Sequence, residues 1–262
     1  MKMFRKTLSI VLAVLTVLMC LSVSAFAADT TVKLRIEGID SCLFYGSVTV
    51  DEGKTVYDVL LKADEIDSKL TVTSYASEYG AYVSAINGIT SGTYTEKKWD
   101  GWSYKVNGES PSVGVDAYTV KAGDSIVMYY GDEWNTGMQY PTVKTDKLSE
   151  GKIYFTSMDT VYDENWNATV KECAVTGYTL IWDGVEFTPD ENGVCTLSEK
   201  NLTAGKHSIQ IKKHDAKTGL PTVLRLEPDF TVTIEKEKKS FFDTLKDFID
   251  MIINFFKNLF KF

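Results

Sequence analysis

Residues 99–134 read WDGWSYKVNGESPSVGVDAYTVKAGDSIVMYYGDEW. The stretch contains two strand-like runs, residues 101–106 and 125–130, in which aromatic side chains are closely spaced. Asn107-Gly108 and the segment 121–124 supply the turn residues that bound such strands. Aromatic side chains on rigid strands suit a binding surface, because they offer a large contact area at a small entropic cost. The stretch holds no nucleophile–base pair and no cluster of metal ligands, so it favours binding over catalysis.

The chain before this stretch has an α+β pattern. Residues 31–37 alternate and are β-branched, and residues 45–50 follow after a link that is short enough for a hairpin. Residues 54–66 show helical spacing, with Asp51 or Thr55 as the N-cap. The predicted apolar face of this helix comprises Val56, Val59, Leu60 and Ala63. Further strands are predicted at residues 70–74 and 81–86. We therefore expect one helix that covers one sheet.

The second half of the chain is predicted to be all strand. Residues 140–151 have a proline and mixed charge, which indicates a linker. Asp183-Gly184 and Asn192-Gly193 are strong hairpin turns. The predicted strands are residues 153–157, 168–175, 179–182, 185–188, 194–197, 207–212 and 231–235. Several short strands with regular turns predict a β-sandwich.

The N-terminus is predicted to be a secretory signal peptide. A positive segment with Lys2, Arg5 and Lys6 precedes an apolar run, and small residues precede a cleavage point after Ala27. The alternative is an uncleaved membrane anchor, since the uncharged run is long enough to span a bilayer. Cleavage would change the formal net charge from -8 to -11, because it removes three cations. An acidic, secreted chain of this kind is not expected to bind nucleic acid.

The C-terminus is predicted to be an amphipathic helix after the charged segment EKEKK. It begins at Ser240 and ends at Phe262, and polar residues recur along it at intervals of three and four. It carries too many charges to span a membrane comfortably. Three alternatives stay open: attachment to a membrane surface, self-association or docking on a partner, and folding back on the second domain.

Few residues have the chemistry of metal, disulfide or catalytic sites. Cys173 and Cys195 could pair in an oxidising compartment, which would leave Cys42 over; alternatively, all three thiols are small buried hydrophobes. His207 and His214 lack partners at zinc-ligand spacing. No nucleophile elbow, phosphate-binding loop or metalloprotease helix is present. We therefore predict no metal, no cofactor and no enzymatic activity.

Part of the chain resembles the transcobalamin C-terminal-like domain. The residues that carry the resemblance are Trp102, Tyr104, Val106-Asn107-Gly108, Gly114, Tyr118, Gly123-Asp124, Ile126 and Tyr130. The resemblance covers residues 31–139, and such domains are common in secreted proteins of Gram-positive bacteria. It implies a β-grasp-like fold and makes a corrinoid such as cobalamin the ligand to expect. In the second domain, residues 187–193 and 202–207 resemble immunoglobulin-like or prealbumin-like modules of bacterial surface proteins, which implies a spacer or adhesive unit.

Five residues are predicted to face a ligand. They are Trp99, Trp102, Asn107, Tyr129 and Trp134. Trp102 and Tyr104 lie on one strand face, and packing in the core under the helix is the competing interpretation for both. Trp99, Tyr129 and Trp134 lie at strand ends or on the other face, so we expect them to be exposed.

These observations predict five segments: a signal peptide (1–27), a transcobalamin-like β-grasp domain (28–139), a linker (140–151), a β-sandwich (152–236), and a hinge with an amphipathic helix (237–262). The predicted function is a secreted or cell-surface binding protein whose first domain recognises a small molecule. The alternative is an adhesion or scaffold protein that binds protein or glycan partners. An extracellular hydrolase is the third hypothesis.

Overall fold

A computed structural model describes residues 29–235, Lys246 and residues 249–253. The predicted signal peptide lies outside the described residues. In the predicted C-terminal helix, Lys246 and residues 249–253 are described and are helical. The rest of that segment lies outside the described part of the chain, so the full helix stays a prediction. None of the helices in the described ranges is long and apolar enough to cross a membrane.

The described chain is mostly β-structure and divides into two compact units. The first contains residues 29–36, 43–90 and 104–128. The second contains residues 37–42 and 91–103 and the described residues from 129 onward. The predicted domain limits stay predictions.

The first half of the chain forms two sheets. The larger sheet contains β1 (Asp29–Glu37), β2 (Cys42–Asp51), β6 (Gly101–Val106) and β7 (Ser125–Gly131), in the order β2-β1-β7-β6. The smaller sheet contains β3 (Val72–Ser77), β4 (Gly80–Ile86) and β5 (Ile89–Thr90), in the order β3-β4-β5. Alternate residues of β1, including Val32 and Leu34, are buried, so one face of the larger sheet contributes to the core.

Helix α1 (Val56–Ile66) confirms the predicted helix, its cap and its apolar face. Thr55 forms a capping box: its hydroxyl accepts from the Asp58 amide, and the Asp58 carboxylate accepts from the Thr55 amide. This arrangement satisfies two amide donors that the helix leaves without intrahelical partners. The buried residues are Val56, Val59, Leu60 and Ala63, as the spacing predicts.

The second half of the chain forms two further sheets around a common core. One contains β8 (Thr142–Lys144), β9 (Lys152–Tyr162), β10 (Ala168–Ala174) and β13 (Val194–Thr196), with β9 pairing to the other three. The other contains β11 (Thr179–Trp182), β12 (Val185–Phe187), β14 (Gly205–Lys212) and β15 (Thr231–Ile234), in the order β12-β11-β14-β15. Phe155, Trp182 and Ile211 from both sheets lie in one buried cluster, an arrangement compatible with a sandwich.

Strand β8 lies in the segment that the sequence predicts as a linker. It pairs with β9, and Val143 lies opposite Phe155. The proline and the charges of the segment indicate a loop locally, but the edge of β9 provides hydrogen-bond partners that the local sequence does not reveal.

The cysteine pairing that the sequence leaves open does not occur in this fold. Cys173 lies opposite Ser157 on β9, and Cys195 lies opposite Ile153. These positions on β9 are four residues apart, which corresponds to about 13 Å along a strand. A disulfide requires Cα atoms within about 7 Å of each other, so Cys173 and Cys195 are too far apart to bond. Cys195 is instead fully buried in the core.

Candidate functional site

The predicted ligand-facing residues differ widely in exposure. Trp99 is 54% exposed and Trp134 is 82% exposed, so the expected exposure is confirmed for both. Tyr129 is buried, and the prediction that it is exposed is wrong. Trp102 is half-buried, and Asn107 is exposed. The role of each residue in ligand binding stays a prediction.

Trp99 lies on a loop that a buried carboxylate organises. The Asp100 side chain accepts hydrogen bonds from the backbone amides of Thr93, Tyr94 and Thr95 at 2.9–3.1 Å. It also accepts from the Thr95 hydroxyl at 2.6 Å. Asp100 is almost fully buried, so a single side chain fixes the conformation of the loop that presents Trp99 to solvent.

The same carboxylate connects this loop to strand β7. The Tyr130 hydroxyl donates to Asp100 at 2.6 Å, and the rings of Trp102 and Tyr94 contact the Tyr130 ring edge-on. Burial raises the pKa of Asp100, but the hydrogen bonds from Thr95, Tyr130 and Tyr94 outweigh burial and lower it to about 2. The carboxylate is therefore ionised at neutral pH. Trp102 serves at least in part as packing for Tyr130.

Trp134 lies in a turn that a second buried carboxylate organises. Asp132 accepts from the Asn135 amide at 3.1 Å and from the Asn135 side chain at 2.6 Å. Its carbonyl oxygen accepts from the amides of Thr136 and Gly137 at 3.0 and 3.1 Å. Asp132 is almost fully buried, so the backbone on the C-terminal side of Trp134 is fixed.

Tyr129 holds the residue that precedes Trp134. Its hydroxyl donates to the Glu133 carboxylate, and the Tyr140 hydroxyl donates to the same oxygen at 2.8 Å. The Tyr129 and Tyr140 hydroxyl oxygens are 2.5 Å apart. Burial and the negative charge of Glu133 raise the pKa of Tyr129, so its hydroxyl stays protonated and remains a donor. Tyr129 thus supports the exposed tryptophan and does not face solvent itself.

Trp99 and Trp134 line a common open cleft of about 330 Å³. The cleft surface is predominantly apolar. The Lys97 ammonium lies 4.8 Å from the centre of the Trp99 ring, within the range of a cation–π contact. We call this surface the Trp99–Trp134 cleft. Two fixed loops, which are separate in sequence, therefore present their tryptophans to the same space.

Asn107 has a structural role in a hairpin turn. It has φ 53°, and Gly108 has φ 83°, as a two-residue turn requires. The Asn107 side chain donates to Asp124 at 2.9 Å and accepts from the Ser125 amide at 2.9 Å. Both ends of its amide are engaged within the protein, so a contact with a ligand would compete with these hydrogen bonds.

The remaining ionisable residues that the structure describes do not assemble into a metal centre. In the described ranges, no group of three or more His, Cys, Asp and Glu side chains could hold a metal ion. The two nitrogens of the His207 ring lie 2.6 Å from the Asp183 carboxylate and 2.6 Å from the Thr203 carbonyl. Burial lowers the pKa of His207, but these two acceptors outweigh burial and raise it. His207 therefore ties two loops together.

Sequence reasoning missed Asp100, Asp132 and Lys97. A signal for the first two exists in the printed sequence, because each aspartate lies within two residues of a tryptophan and beside Thr, Asn or Gly turn residues. Asp and Asn side chains in such segments often accept hydrogen bonds from nearby amides. That these two aspartates are buried could not be inferred from the local sequence.

Comparisons with known proteins give a family match over part of the chain. Residues 53–132 match the model of DUF4430, a domain of unknown function, and the match lies within the range for which the sequence predicts a transcobalamin-like domain. No curated protein matches the chain significantly.

Two solved structures show limited similarity to this chain. Haptocorrin in complex with Cbi is 20% identical with a TM-score of 0.37, and the similarity covers 40% of this chain. The matching part spans only 26% of the haptocorrin chain. A candidate metal-binding protein from Ruminococcus gnavus is 17% identical with a TM-score of 0.31, over 39% of this chain and 97% of that one.

Proposed function

We propose that this protein is a secreted, non-catalytic binding protein that recognises a small molecule at the Trp99–Trp134 cleft. The observation that carries the proposal is the convergence of two exposed tryptophans on one apolar cleft. The charged N-terminal segment and its apolar run support secretion.

The cleft has properties that suit a planar or apolar ligand face. Its volume is near the lower end of the range for small-molecule sites, roughly 300–1,000 Å³. Exposed indole rings supply large contact areas, and Lys97 adds a positive charge beside one of them. Asp100 and Asp132 fix both loops before a ligand arrives, which reduces the entropy lost on binding.

A corrinoid is the first ligand to test within this proposal. The resemblance of residues 102–130 to transcobalamin C-terminal-like domains supports this choice. A β-grasp-like first domain is part of the same proposal. It is supported by the strand order β2-β1-β7-β6 and by the position of α1 directly after the first two strands.

Isothermal calorimetry with a corrinoid panel tests the proposal. The protein used should start at Ala28. Three single variants are compared with the unsubstituted chain: Trp99→Ala, Trp134→Ala and Trp166→Ala. Trp166 is a matched control, because it is 82% exposed like Trp134 but lies outside the cleft. We expect the Trp99 and Trp134 variants to bind at least about tenfold more weakly, equivalent to about 1.4 kcal/mol, and the Trp166 variant to match the unsubstituted chain.

Two results would count against the proposal. If no corrinoid produces heat at concentrations well above micromolar, the corrinoid version is wrong. If a ligand binds and Trp166→Ala weakens it as much as Trp134→Ala does, the cleft is not the binding site.

A second candidate function, adhesion to a protein or glycan, is favoured by the hairpin of β9 and β10. Its outer part exposes the apolar residues Met158, Tyr162, Trp166 and Val170. Surface apolar patches of this kind mark interaction sites in many proteins. A glycan array probed with the labelled chain tests this alternative. Binding that survives Trp99→Ala and is lost in Trp166→Ala would support adhesion over small-molecule recognition.

A further inference from the structure

A groove runs along the end of β15, in the second unit. Its volume is about 540 Å³. We call it the β15 groove, and its lining residues are Thr145, Leu148, Ser149, Leu202, Ala204, Val232, Thr233, Ile234 and Glu235. The final four belong to the last described stretch of the chain before Lys246.

The wall of the β15 groove is the outer side of the sandwich core. Leu148, Leu202 and Ile234 pack against the buried cluster and are only partly buried themselves. Each of them therefore keeps apolar surface in contact with solvent in the groove. Covering that surface would be favourable, at about 25 cal/mol for each Å² removed from water.

The same chain carries a second exposed apolar surface close to the groove in sequence. Ile249, Ile252 and Ile253 are helical and are each 38–46% exposed. Their spacing of three and four residues places them on one face of the helix, whereas Met251 points about 200° away from Ile249. Ten residues separate Glu235 from Lys246, and a chain of that length spans at most about 35 Å.

We propose that the face formed by Ile249, Ile252 and Ile253 docks in the β15 groove of its own chain. We choose this occupant because of where the groove lies along the chain. The lining of the groove includes Glu235, and the segment that bears the isoleucines follows Glu235 in the same chain. Because the segment and the groove belong to one chain, the segment is present at an effective concentration of roughly a millimolar. A second copy of the chain would reach the same occupancy only at a protein concentration of about a millimolar. The docked segment completes the open side of the core.

Hydrogen–deuterium exchange on the chain from Ala28 to Phe262 tests this docking. The test variant is Ile252→Asp, and the matched control is Met251→Asp, which introduces the same charge on the other helix face. We expect amides in residues 145–149 and 232–235 to exchange at least about fivefold faster in Ile252→Asp than in the unsubstituted chain. Met251→Asp should leave them unchanged. The reciprocal variant Ala204→Arg, at an exposed groove position, should speed exchange in residues 249–253.

The outcomes separate the possible occupants. Equal groove exchange in the unsubstituted chain and in Ile252→Asp would overturn the proposal. Groove protection that increases with protein concentration, together with dimers in sedimentation velocity, would assign the groove to a second copy and also overturn it. Protection of residues 249–253 that occurs only with phosphatidylcholine–phosphatidylglycerol vesicles would assign the segment to a lipid surface instead. Unchanged exchange in residues 153–155 of the core shows that each variant is folded.

Discussion

A single buried carboxylate, Asp100, holds the loop that carries Trp99. Its two oxygens accept three backbone amides and two hydroxyls, all within the protein. Asparagine at this position would offer one acceptor oxygen and an NH2 group with two donor hydrogens. Its NH2 group would therefore face hydrogen-bond donors of the loop where the aspartate presents a second acceptor oxygen. The position therefore requires the negative charge and the two acceptor oxygens of aspartate, although asparagine has nearly the same size.

We predict that Asp100→Asn lowers the free energy of unfolding by about 3 kcal/mol at pH 7, because buried donors lose a charged acceptor. Urea unfolding measures this loss. The folded pKa of about 2 lies below the ordinary value of 3.8, so the stabilisation is present above about pH 4. It should decrease as the pH falls towards 2, and the difference between the two proteins should shrink with it.

Asp163→Asn is the control for this prediction. Asp163 also accepts hydrogen bonds within a turn, from the amides of Asn165 and Asn167 at 2.8 Å, but it is exposed to solvent. Water can replace the lost acceptor there, so a smaller loss is expected. An equal loss at both positions would show that burial of Asp100 is not the cause.

At the scale of elements, two glycine-containing turns look the same in sequence and differ in the fold. Asp183-Gly184 joins the paired strands β11 and β12, whereas β12 and β13, on either side of Asn192-Gly193, lie in different sheets, so the hairpin predicted there is wrong. Asp183-Gly184 and Asn192-Gly193 are both predicted as two-residue turns, and both glycines have φ 80°. A Cβ added to Gly184 would meet nothing within 4 Å. A Cβ added to Gly193 would lie 2.1 Å from the Val175 carbonyl oxygen. The second glycine is therefore required by the close approach of the Val175 backbone, one residue after β10, as well as by its own φ.

We predict that Gly184→Ala costs about 1 kcal/mol of folding free energy, since only the positive φ disfavours alanine there. Gly193→Ala should cost at least about 2 kcal/mol more, because the backbone must also move away from Val175. Thermal and urea unfolding of both variants provide the measurement. Similar losses at the two positions would contradict the close approach of Gly193 to Val175.

At the scale of the whole molecule, an ion pair joins residues that are 188 positions apart. Arg225 donates to the Glu37 carboxylate from Nε at 2.8 Å and from a terminal nitrogen at 2.5 Å. It also donates to the Gly38 carbonyl at 3.2 Å. Glu37 is buried, and Arg225 is largely so. Both residues belong to the second unit, which thereby includes a short segment from near the start of the chain.

We predict that Arg225→Met lowers the free energy of unfolding by about 3–5 kcal/mol, because it leaves a buried carboxylate without its cation. The double variant with Glu37→Gln should recover a large part of that loss. Urea unfolding of the two single variants and the double variant gives the coupling energy. Lys212→Met, which breaks the exposed pair with Glu186, is the control and should cost less than about 1 kcal/mol. Additive effects of the Arg225 and Glu37 substitutions would contradict a direct coupling.

The sequence by itself determined the local features of this protein. Helix α1 and its Thr55 cap, most of the strands, and the Asp183-Gly184 hairpin turn follow from side-chain periodicity and turn chemistry, which involve residues that are close in sequence. Exposure of Trp99 and Trp134 was also predictable, because they flank the strands in loops rich in polar residues.

Only the tertiary structure decided which aromatic residues share a surface. It buried Tyr129 against Tyr140 and Glu133, although its position near a strand end favours exposure. It also brought Trp99 and Trp134 to one cleft across 35 positions of sequence. Burial and convergence depend on how distant segments pack, and that information is not contained in the periodicity of any one segment.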